Sequence, residues 1–183
     1  MTKPSQGRIA VVSGCPGTGK TTLARELARR TARGVHMLTD VFYDFIPHRI
    51  HQTLPESNAQ NTTVMHAIAA AAVAYANGGY DVYADGVIST RFLEVFRLAA
   101  GAAEVDLHFI MLRTSLDETV RRGTARSGPD FEATIRIMHA KRADLGELEP
   151  HAIDASPAAE EILAHAQQQL DAGALRLSPA SAS

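Results

Sequence analysis

The sequence predicts an α/β fold in which helices cover both faces of a parallel β-sheet. Apolar runs of strand length alternate with helical patterns five times along the chain, an order typical of parallel sheets joined by crossover helices. The length of 183 residues suits one domain, and the 45% hydrophobic and 21% charged residues are close to globular averages. The chain shows no internal repeat, so we expect a single domain over residues 1–183 with its core at about 7–172.

Five apolar runs have the length and residue types of β-strands. They cover residues 9–12, 35–38, 80–84, 105–112 and 152–153. The fourth run is the clearest, because it contains Val, Leu, Phe, Ile and Met in one stretch. The first run leads into Ser13-Gly14 and the third into Asp85-Gly86, so polar residues follow both strands directly.

The segments between the strands carry apolar residues at helical spacing. The main helices are predicted at about 23–34, 64–75, 92–101, 116–126, 131–145 and from 156 onward. Ser115 and Glu118 predict a capping box at the start of the fourth helix, in which each side chain accepts from the other residue's backbone N–H. We expect the Ser-, Pro- and Ala-rich end of the chain, residues 173–183, to be frayed.

Composition excludes several classes of protein. The 18 Lys and Arg residues against 20 Asp and Glu give a net charge of -2, which argues against an extended nucleic-acid or membrane surface. A lone cysteine, Cys15, excludes a disulfide framework and a multi-cysteine zinc site. The longest apolar run, 67–76, is about half the roughly 20 residues that a membrane span needs, and the polar start lacks a signal-peptide core. We therefore expect a cytoplasmic protein with no membrane partner.

The segment between the first strand and the first helix is a complete phosphate-binding motif, G-x-x-x-x-G-K-[ST]. It consists of Gly14, Cys15, Pro16, Gly17, Thr18, Gly19, Lys20 and Thr21. Its glycines let successive backbone N–H groups converge on an anion, and the helix N-terminus adds positive partial charge. Lys20 is placed to reach the β- and γ-phosphates of a nucleotide, and the Thr21 hydroxyl offers Mg²⁺ a hard oxygen ligand.

Two residues of this segment have open roles. Cys15 is either a tolerated variable position or a redox-sensitive thiol, because a helix N-terminus can lower the pKa of a thiol. Thr22 either adds a hydroxyl to the α-phosphate or is an ordinary helix residue.

Three acidic residues are candidates for the catalytic centre. Asp40 follows the second strand and Asp85 ends the third, and ligands of open α/β sheets bind beyond the carboxyl ends of strands. Asp40 either takes the proton of an acceptor hydroxyl or caps a short helix over 41–45. Asp85 either holds Mg²⁺, as in the Walker B pattern, or is a turn residue before Gly86. Asp44 is either a second acceptor contact or a solvated carboxylate.

A cluster of arginines lies on the helix after the fourth strand. Arg122 and Arg126 share one face of this helix, beside Arg121. Such a cluster either clamps a transferring phosphoryl group or forms a solvated basic helix end. Arg91 and Arg97 are weaker candidates for contact with an anionic acceptor.

In order and spacing, these motifs resemble those of the P-loop kinases of small molecules, such as shikimate, gluconate and adenylate kinases. The segment 40–47 is similar to the acceptor segment of chloramphenicol phosphotransferases, and 153–157 to the purine-side loop of the same kinases. The resemblance covers about residues 7–172.

The resemblance implies a three-layer P-loop NTPase fold with a parallel five-stranded sheet of order 2-3-1-4-5, and ATP and Mg²⁺ as cofactors. It also implies Asp40 as catalytic base, Arg122 near the adenine and Arg126 on phosphates. The Asp-x-Asp of shikimate kinases is missing, so shikimate is not the expected acceptor.

The leading hypothesis is an ATP-dependent phosphotransferase that acts on a hydroxyl of a small molecule, as a monomer or homodimer. Lys20 and Arg126 would neutralise the phosphoryl charge, Thr21 and Asp85 would hold Mg²⁺, and Asp40 would activate the acceptor. One alternative is a kinase of nucleotide sugars or nucleic-acid ends. Another is a nucleotide-binding switch that controls a partner protein. Neither the acceptor nor a preference for ATP over GTP follows from the sequence.

Overall fold

The central sheet has the predicted topology. The structure is a computed structural model that describes residues 5–178. Strands β1 to β5 cover Ile9–Gly14, Gly34–Leu38, Asp81–Asp85, Leu107–Arg113 and Ala152–Asp154. Every neighbouring pair is parallel, and the spatial order is β2-β3-β1-β4-β5. The predicted five-stranded parallel sheet and its order are therefore confirmed.

Helices connect these strands and cover both faces of the sheet. Helices α1 to α7 are Lys20–Arg30, Val41–Asp44, Asn58–Asn77, Thr90–Ala102, Leu116–Ser127, Glu132–Ala140 and Ala159–Asp171. Short 3-10 helices lie at Pro55–Ser57, Pro129–Phe131 and Gly146–His151. Within residues 5–178, no helix is long and apolar enough to cross a membrane.

The central strand β1 is buried on both faces, because its side chains alternate between two apolar cores. Ile9 and Val11 belong to the core that α3 and α4 cover. Ala10 and Val12 belong to the opposite core, which α1 and α7 cover. This packing holds the carboxyl end of β1, and therefore the start of the phosphate loop, at the centre of one edge of the sheet.

Several local predictions need correction. Helix α6 ends at Ala140 instead of near 145, and α7 begins at Ala159 instead of 156. The capping box is half formed: the Ser115 hydroxyl accepts from the Glu118 N–H at 3.3 Å. The Glu118 carboxylate bonds to nearby guanidinium groups instead, since charge-assisted bonds are the stronger choice.

The segment after α7 was expected to be frayed, and that expectation is wrong for residues 173–178. Strand β5 pairs only with Met111–Arg113, so the first half of β4 has an open edge. The tail covers this edge, as Phe109 N donates to Leu175 O at 2.9 Å and Leu177 N donates to Leu107 O at 2.8 Å. The side chains of Leu175 and Leu177 are buried there. Residues 179–183 lie outside the described part of the chain.

Candidate active site

The phosphate loop joins β1 to α1 and is closed by internal hydrogen bonds. Gly17 and Gly19 have φ values of +86° and +91°, which favour glycine. Thr18 donates through its hydroxyl, at 2.9 Å, and Lys20 through Nζ, at 3.0 Å, to the same carbonyl oxygen of Cys15. Lys20 is 7% exposed, and burial lowers its pKa to about 8, although the charge of Asp85 acts in the opposite direction. The lysine is thus held inside the loop, still largely protonated at neutral pH.

Helix α5 lies directly against this loop. A methyl group on Gly17 would come within 2.7 Å of the backbone nitrogen of Gly123, and one on Gly123 would lie 3.3 Å from Pro16 O. The first of these distances is too short for any side chain. Glycine is therefore needed at position 17 both for the close approach of α5 and for the turn of the loop. The contact orients the arginines of α5 relative to the phosphate loop.

A hydrogen-bonded chain links α1, β3 and β2. The Thr21 hydroxyl donates to Asp85 Oδ2 at 2.7 Å, and His36 Nε2 lies 2.5 Å from Asp85 Oδ1. Asp85 is 1% exposed, so both of its carboxylate oxygens depend on other protein groups for their hydrogen bonds. Its position at the end of β3 agrees with the predicted Walker B residue, and His36 supports it from the edge strand.

The Thr21–Asp85 pair has the chemistry of a magnesium site. Among residues 5–178, no cluster of three or more His, Cys, Asp or Glu side chains could enclose a metal. Mg²⁺ does not need such a cluster in phosphoryl-transfer sites, because water and substrate phosphates supply most of its ligands. One hydroxyl and one carboxylate at hydrogen-bond distance therefore fit the predicted metal.

Asp40 faces a cavity and does not act as a helix cap. It precedes α2, but its side chain makes no capping hydrogen bond, so the capping interpretation lacks its defining contact. Surrounding protein raises the pKa of Asp40, whereas the positive charges of Lys20 and Arg126 lower it. Asp44 is exposed and pairs with Arg49, as expected for a solvated carboxylate.

This cavity has a volume of about 320 Å³ and brings the predicted catalytic residues together. The charged residues that line it are Lys20, Asp40, Asp85 and Arg126, and Thr21 lies beside them. Within the described residues, the rest of the wall carries no further Lys, Arg, Asp or Glu, and includes Thr39, Tyr43, His51, Gln52, Thr53, Asn61, Met65, Ser89, Phe92, Phe131 and Met138. One end of the cavity is therefore charged and the remainder can accommodate an uncharged molecule.

The arginines of α5 point to different places. Arg126 lines the cavity and has no ion pair or hydrogen bond with another residue of 5–178. Arg122 bonds to Glu118 at 2.5 Å and to Ala155 O at 3.2 Å, beside a second cavity of about 600 Å³. Arg121 is exposed and pairs with Glu118. The structure thus separates the three side chains that the sequence presents as one cluster.

The second cavity lies on the other side of the phosphate loop. Thr18, Gly19 and Thr22 form one wall, and residues 157–160 with Ile162 and Leu163 form the opposite wall. Its position beside Arg122 and next to the loop suits the base and sugar of a nucleotide whose phosphates occupy the loop.

Cys15 is buried within the phosphate loop, with 4% of its surface exposed. Burial raises the pKa of its thiol, although the charges of Arg142 and Lys20 oppose this shift. A thiol that is buried and mostly protonated reacts slowly, which favours the interpretation of a tolerated position over that of a redox sensor.

Comparison with known proteins identifies the family. Residues 11–141 match the family model described as "AAA domain". The chain belongs to this AAA-domain family. No curated protein sequence matches it closely enough to count as a relative.

Solved structures share the fold of this AAA-domain chain at low identity. A gluconokinase from Sinorhizobium meliloti 1021 is 20% identical, with a TM-score of 0.71 over 93% of this chain and 95% of that one. A sugar kinase from Janibacter sp. HTCC2649 is 22% identical, with a TM-score of 0.67 over 97% and 99%. The Deinococcus radiodurans tunicamycin resistance protein is 18% identical, with a TM-score of 0.63 over 95% and 100%. The fold is that of P-loop kinases, as the sequence motifs indicate.

Sequence reasoning missed two residues of the site, His36 and Asn61. His36 is one of eight histidines, and only the pairing of β2 with β3 places it beside Asp85. Asn61 is in the first turn of α3, in a stretch with no motif. The alternation of side chains along β2 could have shown which face His36 occupies, whereas no sequence signal marks Asn61.

Proposed function

We propose that the chain is an ATP- and Mg²⁺-dependent kinase that transfers the γ-phosphoryl group to a hydroxyl of a small molecule. The observation that carries this proposal is the cavity of about 320 Å³ that Lys20, Asp40, Asp85 and Arg126 line together. A phosphoryl-transfer site needs cations around the phosphate and a carboxylate beside the attacking hydroxyl. All of these groups line one cavity, and the rest of that cavity leaves space for an acceptor.

Asp40 is the general base of the proposed reaction. The acceptor oxygen attacks the γ-phosphorus and loses its proton to the Asp40 carboxylate, while the bond from that phosphorus to the β–γ bridging oxygen breaks. ADP leaves with the electron pair of that bond. Lys20 and Arg126 stabilise the negative charge that spreads over the phosphoryl oxygens.

Thr21 and Asp85 would hold Mg²⁺ in this reaction. The ion, when bound, neutralises charge on the β- and γ-phosphates. The protein's own contribution is to orient the Asp85 carboxylate, through the Thr21 hydroxyl at 2.7 Å and His36 at 2.5 Å. The nucleoside part of ATP would lie in the second cavity, between Thr22 and Pro157, with Arg122 at its border.

Acceptor-dependent turnover tests this proposal. Hydroxyl compounds, including sugars, polyols, nucleosides and hydroxyl-bearing antibiotics, are screened for ADP release and for phosphorylated product by mass spectrometry. Without acceptor, ATP hydrolysis should be slow, and the right acceptor should accelerate ADP formation strongly, because it brings a hydroxyl within reach of Asp40. Lys20→Ala serves as the inactive control. A panel with no phosphorylated product, together with a partner protein that changes nucleotide turnover, would instead establish the switch hypothesis.

A further inference from the structure

Asn61 has an amide oxygen that no neighbour satisfies. The residue is 8% exposed and lines the cavity of the proposed kinase. Its Nδ2 donates to Gln52 O and to Ser57 Oγ, both at 2.9 Å, and these two bonds determine the orientation of the amide. Its buried Oδ1 has no hydrogen-bond partner among residues 5–178. An unpaired buried acceptor of this kind is costly, and a hydrogen-bond donor on a ligand would remove the cost.

Tyr43 offers a second polar group at the same cavity. The residue is 3% exposed, and its hydroxyl forms no hydrogen bond with another described residue. Burial, together with the negative charge of Asp40, raises the pKa of Tyr43 to about 12. The hydroxyl is therefore uncharged at neutral pH and can donate to an oxygen of a bound molecule.

Away from the phosphate end, the cavity wall formed by residues 5–178 carries no lysine or arginine to balance a charged acceptor, and His51 is the one histidine that lines it. Among the lining residues the only Lys and Arg are Lys20 and Arg126, which belong to the phosphate end. Arg49 lies outside the cavity and pairs with Asp44. Arg91 also lies outside it and donates to Asn58 Oδ1 at 2.7 Å. A carboxylate or phosphate on the acceptor would lose part of its hydration here without gaining an ion pair to a lysine or arginine.

Apolar side chains complete the wall. Met65, Phe92, Phe131 and Met138 line the cavity around the two polar groups. Aromatic and thioether surfaces pack well against the C–H face of a ring or an aliphatic chain. The wall thus combines two neutral hydrogen-bonding groups with an apolar surface.

We infer that the acceptor is an uncharged molecule with an apolar face and a second neutral polar group, such as a hydroxyl or an amide, that donates to Asn61 Oδ1 and accepts from the Tyr43 hydroxyl. This inference rests on the proposed kinase function and narrows it to a substrate class. Sugar acids and phosphorylated sugars are excluded from that class, whereas neutral polyols, glycosides and nucleoside-like compounds belong to it.

Matched acceptors test the charge preference. Neutral sugars and the methyl esters of uronic acids are compared with the corresponding free uronates and sugar phosphates, by kcat/KM for ADP formation. We expect the neutral member of each productive pair to be favoured by about 100-fold, since the charged member leaves a buried ion unpaired. Faster phosphorylation of the charged members would overturn this inference and leave the kinase intact. No product from either set, with a partner protein altering nucleotide turnover, would overturn both.

Tyr43→Phe tests the second polar contact, because it removes one oxygen atom and keeps the ring. For the best neutral acceptor we expect KM to rise about 10-fold, while KM for ATP and the melting temperature stay close to those of the unmodified protein. Tyr75→Phe removes the same atom from an exposed tyrosine outside the cavity and should change neither constant.

An acceptor analogue that lacks the second hydroxyl separates recognition from a structural effect. With this deoxy compound, Tyr43→Phe and the unmodified protein should have the same kcat/KM, because the contact is already missing. Asn61→Leu should likewise have the same kcat/KM as the unmodified protein with the deoxy compound. Its melting temperature is measured alongside, because the Asn61 amide also holds the 52–57 segment. An equal loss with both acceptors would show that Tyr43 acts on the fold alone and would overturn the inferred contact.

Discussion

The hydroxyl of Thr21 donates a 2.7 Å hydrogen bond to Oδ2 of Asp85, across 64 residues of sequence. This bond joins the first turn of α1 to the last residue of β3. It places one hydroxyl and one carboxylate oxygen at the carboxyl edge of the sheet, where the proposed metal and phosphates would meet.

Asp85→Asn should raise the Mg²⁺ concentration that gives half-maximal ADP formation by about 10-fold or more, because an amide oxygen is a weaker ligand than a carboxylate. His36→Leu removes only the contact to Oδ1 and should shift the same constant less. Both are measured by Mg²⁺ titration at saturating ATP and acceptor. A larger effect for His36→Leu than for Asp85→Asn would contradict this assignment.

Asp40→Asn should lower kcat by about 100-fold or more and leave ATP affinity nearly unchanged, since it removes the proposed base but keeps the shape of the side chain. Desolvation by the surrounding protein raises the pKa of Asp40, so the rate should fall with decreasing pH at a higher pH than for an ordinary aspartate. The pH profile of kcat/KM measures this acid limb. A variant with full kcat and a lower melting temperature would show that Asp40 is purely structural.

Arg126→Ala should depress acceptor-dependent transfer by about 100-fold, with a smaller effect on ATP binding, because its charge is needed mainly in the transition state. Arg121→Ala is the matched control: it lies on the same helix but is exposed and paired with Glu118. Steady-state kinetics and nucleotide titration distinguish the two effects. Equal rates for the two variants would mean that the cationic clamp is formed by other residues.

Gly17→Ala should destabilise the protein more than Gly19→Ala. Both glycines have positive φ, so alanine costs about 1 kcal/mol at either position. An added methyl group meets Gly123 N at 2.7 Å from position 17, but no atom within 4 Å from position 19. We expect about 1–3 kcal/mol of additional loss for Gly17→Ala, measured by urea unfolding. Equal losses would show that α5 does not press on the phosphate loop in solution.

The buried His108 should make the fold sensitive to acid. Burial, aided by the charge of Arg8, lowers its pKa to about 4 from an ordinary 6.5. At a pH between about 4 and 6.5, this histidine is mostly protonated in the unfolded chain and mostly neutral in the folded protein. The free energy of unfolding should therefore fall as the pH falls through this range, by at most about 1.4 kcal/mol per pH unit. Urea unfolding at about pH 7 and about pH 5 measures this slope. His108→Leu should reduce it, whereas His66→Gln on the exposed side of α3 should not.

Some features of the site could be predicted because they lie in contiguous sequence. The phosphate loop is eight consecutive residues between a strand and a helix, and both flanking elements form from local patterns. The ends of β2 and β3 could be placed as well, since parallel strands present their carboxyl ends at one edge. The predicted positions of Asp40 and Asp85 therefore agree with the structure, while their roles stay predictions.

Other features depend on residues that meet only after folding. The course of residues 173–178 was mispredicted, because its partner is the open edge of β4, which exists only when β5 is short. The three arginines of α5 could not be separated, since their surroundings depend on how closely α5 approaches the phosphate loop.

By itself, the sequence determined the sheet, its flanking helices and the phosphate loop, because strand alternation, helical periodicity and the glycine-rich turn are all local properties of the chain. The tertiary structure alone decided what surrounds each polar group. His36 reaches Asp85 through strand pairing. The bonds that hold the Asn61 amide come from the 52–57 segment, and they leave its oxygen without a partner among the described residues. Burial and hydrogen-bond pairing arise from distant parts of the chain, so no local pattern encodes them.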